Sequence, residues 1–388
     1  MSDERRPFEE PPDLDDPAVR ASLDPEWVAM LLPLDKLKRD LKEAGIALQP
    51  REVRYLVDYY YAMQHLRATA CNQVRALEAS GEPCTLIKWL AGQDMRQEHQ
   101  VKTMLDIWTD GQPVGRWLKS QRGVGPVISA GLMAYIDIER ASTVGDIWRH
   151  AGLDPTQRWL GKKDGAVVLA RVIGEMEREG HGKKRGQDGD AYWKEVVRRA
   201  CPHAGLNPAT VLRFAETDKD GKQRKLSREN VAAALARRPY HDGFKTLCWK
   251  AGDCFVKFHN WPDCFYGKVY EQRKELEMER NAAGRFAETA QRTLAEKDWS
   301  RDTATKRVYE EGRLPDGRID LRARRYAVKL FLSHLHEVMF WERFKTPTPA
   351  PYVIGILGHI DYIPPPNEHF FPGLREAREH RRRGDQAA

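Results

Sequence analysis

Long apolar runs are missing from this 388-residue chain. No stretch approaches the roughly 20 apolar residues that cross a bilayer, so an integral membrane protein is not expected. The opening residues, Met1 to Pro12, are acidic and carry proline, with no apolar segment of the kind a secretory signal requires. Cysteine is scarce. Six residues (Cys71, Cys84, Cys201, Cys248, Cys254 and Cys264) spread over this length do not form a disulfide framework. A reduced, cytoplasmic setting is the resulting expectation. Alternating strand patterns are equally scarce, and Gly165 to Val172 is the best candidate. No fixed-period repeat is present.

What remains is 41 % hydrophobic and 31 % charged, enough apolar material for a real core. The formal net charge is +7. This figure averages two unlike parts. The first 26 residues hold nine acids against three arginines and read as a disordered acidic leader. The remainder therefore carries about +13.

The helical period predicts a mainly α fold. The expected order is a leader (1–26), a helical N-terminal region (27–114), a central module (115–260), a long charged helix with a C-terminal helix (261–345), and a Pro-rich extended end with a basic tail (346–388). A long helix is predicted to start at Pro50 and end near Gly81, with shorter helices over Cys84–Leu90 and Val101–Trp108. Residues 171–238 read as a Gly-, Lys- and Arg-rich insertion holding two short helices, Ala191–Ala200 and Ser227–Arg237. Ser227 and Asn230 resemble a helix cap. Tyr266 to Glu296 reads as one charged helix, and Ile319 to Phe344 as another.

The segment Leu118-Lys119-Ser120-Gln121-Arg122-Gly123-Val124-Gly125-Pro126 joins two helical patterns through a Gly-hydrophobic-Gly turn. Glycine permits positive φ and leaves no side chain over the turn. The turn amides and the next helix's N-terminus can then face a phosphate oxygen. Pro126 suits the first turn of the second helix, and Val124 is placed to sit between the helices. This is a helix-hairpin-helix pattern, which grips a nucleic-acid backbone without reading sequence. Lys119, Arg122, Gly123, Val124 and Gly125 are the candidate contacts. The plain alternative is an ordinary αα-turn with a C-capping glycine.

Past the hairpin come a Ser/Thr-capped short helix at Ser142-Thr143 and the segment Ala151-Gly152-Leu153-Asp154-Pro155. In this order the residues resemble the C-terminal domain of bridge-RNA-guided DEDD-type insertion-sequence transposases. That family shows a P-G-I-G-P hairpin, a helix, an S-A-R-x-L-x-x-Y-A-G-L-x-P segment, a Ser-bearing strand and then a basic helix. The resemblance covers about Leu118–Gly161 and continues over Arg237–Phe258, where Lys245 to Lys250 stands for the basic helix. It implies DNA binding and a transposase-related origin in mobile-element surroundings. The family's catalytic Ser has no counterpart between Thr156 and Gly165, where Thr156 is the only hydroxyl. The family's N-terminal RuvC-like nuclease-type domain also has no counterpart, since the residues before Gly115 read as helical.

Other clusters have bland readings beside them. Cys254-x4-His259-x4-Cys264 has half of a zinc-knuckle spacing, but Cys248 and Cys254 fall on an apolar helix face. His334 and His336 lie two apart on a helix and so point to different faces, one core and one exposed. Asp137, Glu139 and Asp146 are the acids nearest the hairpin and read as a solvated helix end and a cap. Arg322, Arg325 and Lys329 share a face of the densest basic helix start and can neutralise phosphates. The loop Lys183-Lys184-Arg185 and the tract Lys222–Arg228 read as mobile basic loops that fold on nucleic acid. Trp148, Trp159, Trp249 and Trp341 can stack bases, though at helical spacing they are more often core. The helix at 267–296 reads as a surface arm suited to a homodimer.

The expectation is a DNA-binding protein using backbone contacts, with RNA as a second nucleic-acid partner, no membrane partner and no cofactor or metal. An active transposase with an unlocated site and a helical scaffold protein are the two alternatives.

Overall fold

The computed structural model describes residues 45–154, 159–183, 189–218, 220–348 and 362–387. The acidic leader, Thr156, Lys184, Arg185, His359 and much of the Pro-rich end lie outside the described residues. The fold is mainly α. Among the described residues the β structure is one isolated antiparallel bridge, Thr217 to Gln223. The chain divides into two compact units at Trp108 and Thr109.

In the first unit, α1 spans Pro50–Ser80. Proline opens it, Gln49 and Glu52 cap each other's backbone amides, and Gly81 closes it at φ 74°. Thr85–Asp110 is a single helix, α2, where two short ones were expected. The intervening residues are polar but contain no proline, and one glycine costs a helix only about 1 kcal/mol. Arg67 Nε donates to Glu98 at 2.7 Å and Tyr59 to Gln97 at 2.6 Å, which joins the two helices. Val53, Val57, Val101, Leu105 and Trp108 are buried at one end.

The second unit begins with α3 (Pro113–Lys119), α4 (Pro126–Tyr135) and α5 (Val144–His150). Thr143 caps α5 with Asp146 reciprocating, as the Ser/Thr signal predicts. Next come α6 (Gly161–Arg178), α7 (Gly189–Ala204), α8 (Pro208–Glu216) and α9 (Arg228–Leu235). This stretch corrects two expectations. Gly165–Val172 is helix, not strand. The basic insertion is a four-helix cluster with its own core of Leu169, Val172, Val196, Val197, Val211 and Leu235. The short apolar run at 165–172 is ambiguous alone, and the polar residues after it settle it as one face of an 18-residue helix.

Then follow α10 (Asp242–Lys257), α11 (Phe265–Ala282), α12 (Ala287–Glu296), α13 (Ala304–Glu310) and α14 (Asp316–Phe344). A short 3-10 turn (Glu368–Phe370) and α15 (Leu374–Ala387) complete the chain. The single helix expected over 266–296 is broken at Gly284, where φ is 73°. Nor is it a free arm, because α11 lies along α14 with Tyr266, Val269, Tyr270 and Glu277 buried.

Helix α14 organises the unit by packing against α3, α5, α10 and α11. Phe331 at its centre meets the rings of Trp117, Phe255 and Tyr266 at 6.3, 5.2 and 5.0 Å. Burying a side chain of this size contributes about 2–3 kcal/mol. Because α14 is enclosed on several sides, His334 and His336 are both buried, at 2 % and 3 % exposure. The expectation that one would face solvent is therefore corrected. His336 Nε2 donates to Ala141 O at 2.9 Å. His334 Nε2 donates to Ile363 O at 2.9 Å, so its Nδ1 accepts from Tyr266, 2.8 Å away.

The basic tail is tied to the fold at Arg378. Arg378 sits in α15 between Glu337 and Glu368, with Nε donating to Glu337 at 2.8 Å. Tyr362 donates to the same carboxylate at 2.6 Å. Burial raises the Glu337 pKa and outweighs Arg378 beside it.

Candidate nucleic-acid interface

The hairpin forms as the Gly-Val-Gly pattern implies. Helix α3 ends at Ser120, whose amide reaches back to Arg116 O and Trp117 O. Gln121 is buried and its Nε2 donates to Trp117 O at 3.0 Å. Val124 is 3 % exposed, and its amide donates to Gln121 O at 2.9 Å.

The two glycines do different jobs. Gly123 has φ 89°, and a Cβ there would stand 2.9 Å from Cys254 Cβ and 3.0 Å from the Phe258 ring. Its side is closed against α10. Gly125 is exposed, extended at φ −86°, and serves as N-cap of α4. A Cβ there would meet nothing within 4 Å. No side chain caps α4. The first amides of a helix lack intrahelical acceptors and carry its positive dipole end. Space above Gly125 therefore leads to an uncapped helix start.

The flanking cations are engaged with carboxylates. Arg122 pairs with Asp263 at 2.5 Å and its guanidinium lies 4.7 Å from the Trp261 ring centroid. This partner holds the Asp263 pKa below its ordinary value. Lys119 pairs with Asp110 at 2.5 Å. Arg122 and Asp263 are well exposed, and such pairs contribute little and exchange readily.

Arg322, Arg325 and Lys329 share one stripe of α14, close enough to act on one another's charge, but their partners differ. Arg322 Nε donates to Glu277 at 2.6 Å, a carboxylate without exposed surface that also binds Arg273. Arg322 is thereby committed to the fold. The Lys329 ammonium lies 4.5 Å from the Trp148 ring centroid, while Trp148 Nε1 donates to Lys329 O. Burial lowers the Lys329 pKa, and Asp154 opposes that shift. Arg325 is the exception. It is exposed and forms no ion pair with a described residue, and confinement by protein together with Arg318 and Arg322 lowers its pKa.

Lys183 is exposed beside Trp193, and Lys184 and Arg185 lie outside the described residues. Part of the tract Lys222–Arg228 is pinned, because Arg224 donates to Ala215 O and Phe214 O. The acids near the hairpin do not converge. Asp146 caps Thr143, Glu139 pairs with Arg343, and Asp137 pairs with Arg140. Burial raises the thiol pKa values of Cys248, Cys254 and Cys264. No group of three metal-ligating side chains occurs among the described residues.

Sequence reasoning missed one feature. The turn after α5 (Ala151–Leu153), the first half of α10 and the first half of α14 border an open recess of about 360 Å³. Lys245, Trp249, Arg324 and Arg325 line it. The basic run at Lys245–Lys250 was the one available signal, but the three elements are far apart in the chain. No family model, curated protein or solved structure matches this chain. None of the described helices is long and apolar enough to cross a membrane.

Proposed function

We propose that this chain binds DNA through the phosphate backbone at the hairpin, with little reading of sequence. The observation that carries the reading is Gly125: an exposed, extended N-cap, open above, on a helix with no side-chain cap. A phosphate oxygen can approach amides there that a side chain would shield. Arg122 stands beside the turn on an exposed, exchangeable pair. The whole positive excess of the sequence lies after Trp108, in the unit that holds the hairpin.

The transposase resemblance supports the same partner, and duplex or branched DNA is the form it favours. Strand transfer is not part of the proposal, because the family's Ser has no counterpart at 156–165.

The test is binding of duplex and junction DNA at a series of salt concentrations. Backbone binding predicts that affinity falls steeply with salt, by about 0.9 logarithmic units per contacted phosphate per decade. Gly125→Ala and Arg122→Gln are each expected to weaken binding several-fold with unchanged thermal stability. Absence of affinity at low salt, or wild-type affinity in both variants, overturns the reading. Cleavage or joining of DNA with Mg²⁺ would establish the active-transposase alternative instead.

A further inference from the structure

The recess between α5, α10 and α14 combines features that an ordinary surface dent lacks. Two of its cations, Lys245 and Arg325, are exposed and form no ion pair with a described residue. Arg324 is different. Asp253 and Asp320 face it at 3.4 Å, and its guanidinium lies 4.5 Å from the Trp249 ring centroid. Arg324 thus orients the indole, and the other two cations give the recess its excess charge. Arg325 has no carboxylate partner among the described residues and stands beside Arg318 and Arg322. An arginine left in that state is stabilised by an arriving anion.

Trp249 supplies the second feature. It is 48 % exposed, although α10 places its neighbours Leu247 and Cys248 in the core. An aromatic ring held by a guanidinium and open to solvent is a stacking platform, not core material. The volume is the third feature. About 360 Å³ is far more than a bare anion needs and falls at the small end of small-molecule sites.

We propose that this recess binds a nucleotide, with its phosphate between Lys245 and Arg325 and its base against Trp249. The nucleotide comes either free from solution or as an unpaired residue of a strand, and the chemistry of recognition is shared. The site is separate from the hairpin. Lys245 and Trp249 stand roughly opposite Cys254 and Phe258 around the α10 axis, at 3.6 residues per turn. No residue of the turn enters it, so either site can fail without the other.

The test uses the full chain and reads tryptophan fluorescence and calorimetry. The probes are AMP, CMP, inorganic phosphate, and short single-stranded oligonucleotides of DNA and RNA. Nucleotide binding is expected to weaken about tenfold in Arg325→Gln and in Lys245→Gln, through loss of a charged phosphate contact. Trp249→Leu is expected to weaken it by a similar factor through loss of stacking, and to abolish the fluorescence change. Arg325→Lys is expected to restore part of the loss. All three positions changed in these variants are exposed and line the recess, and circular dichroism checks the fold. Tighter binding of an oligonucleotide than of AMP assigns the strand as source, and equal binding assigns the free nucleotide.

Three results overturn the proposal. One is inorganic phosphate binding as tightly as AMP, which would mean an anion site without a base platform. Another is nucleotide affinity unchanged in Trp249→Leu or Arg325→Gln. The last is absence of binding by every nucleotide probe at millimolar concentration. Duplex binding that survives any of these leaves the hairpin reading intact. Nucleotide binding without duplex affinity removes the hairpin reading and keeps the recess.

Discussion

Replacing each hairpin glycine with alanine separates the turn's structural role from its binding role. At Gly123 the backbone sits at φ 89°, a region that costs an L-residue about 1–2 kcal/mol. The new methyl group would also press on Cys254 Cβ at 2.9 Å and on the Phe258 ring at 3.0 Å. Both belong to the packed end of α10, where overpacking costs about 1–3 kcal/mol. Gly123→Ala should therefore destabilise the second unit by about 3 kcal/mol. For a unit this large that lowers the melting temperature by roughly 6–12 °C. Gly125→Ala meets no atom within 4 Å and needs no unusual φ. A small loss in N-cap preference is offset by reduced freedom of the unfolded chain, so its stability should stay within about 0.5 kcal/mol of wild type. Urea unfolding followed by circular dichroism and tryptophan fluorescence measures both. Equal stability of the two variants would refute the assignment of roles, whatever happens to DNA binding.

Three further outcomes are expected. His334 has its pKa lowered by burial from 6.5 to about 4, so below pH 6.5 the unfolded chain takes up a proton that the folded chain refuses. The stability is complete above pH 6.5 and about 3 kcal/mol is lost as the pH falls to 4; the wild-type acid slope should exceed that of His334→Gln, and coincident slopes would sink the argument. Arg378→Ala leaves the Glu337 carboxylate buried without its cation. A loss of about 3 kcal/mol with faster amide exchange in α15 is expected, and a loss below about 1 kcal/mol would contradict the buried pair. Ser129 Oγ is fully buried with no hydrogen-bond partner among the described residues, so Ser129→Ala should gain about 1 kcal/mol in urea unfolding, and a measured loss would show a partner instead.

Much of the local architecture was legible from the residues alone. Pro50 and Gly81 mark the ends of α1, Thr143 and Asp146 cap α5, Ser227 and Asn230 cap α9, and the Gly-Val-Gly turn forms a hairpin. These signals act within about four residues, through backbone hydrogen bonds and steric limits on φ. Helix class followed from apolar period, and it failed where that signal is weakest. The polar middle of α2 looked like a break, and the apolar run at 165–172 looked like a strand.

Only the tertiary structure decided what the charged and polar side chains away from the helix caps do. Arg322 looked like a phosphate contact until Glu277, from another helix, placed a buried carboxylate against it. Arg378 looked like tail until Glu337 and Glu368 enclosed it. His334 and His336 share burial because α14 is enclosed on several sides, which helical spacing cannot reveal. The recess is the clearest case, since Lys245, Trp249 and Arg325 come together only when α10 and α14 pack. A helix start is set by atoms nearby in the chain. Whether a cation is neutralised, buried or left open is set by atoms nearby in space, because Coulomb energy and hydration depend on spatial distance and burial and not on separation along the chain.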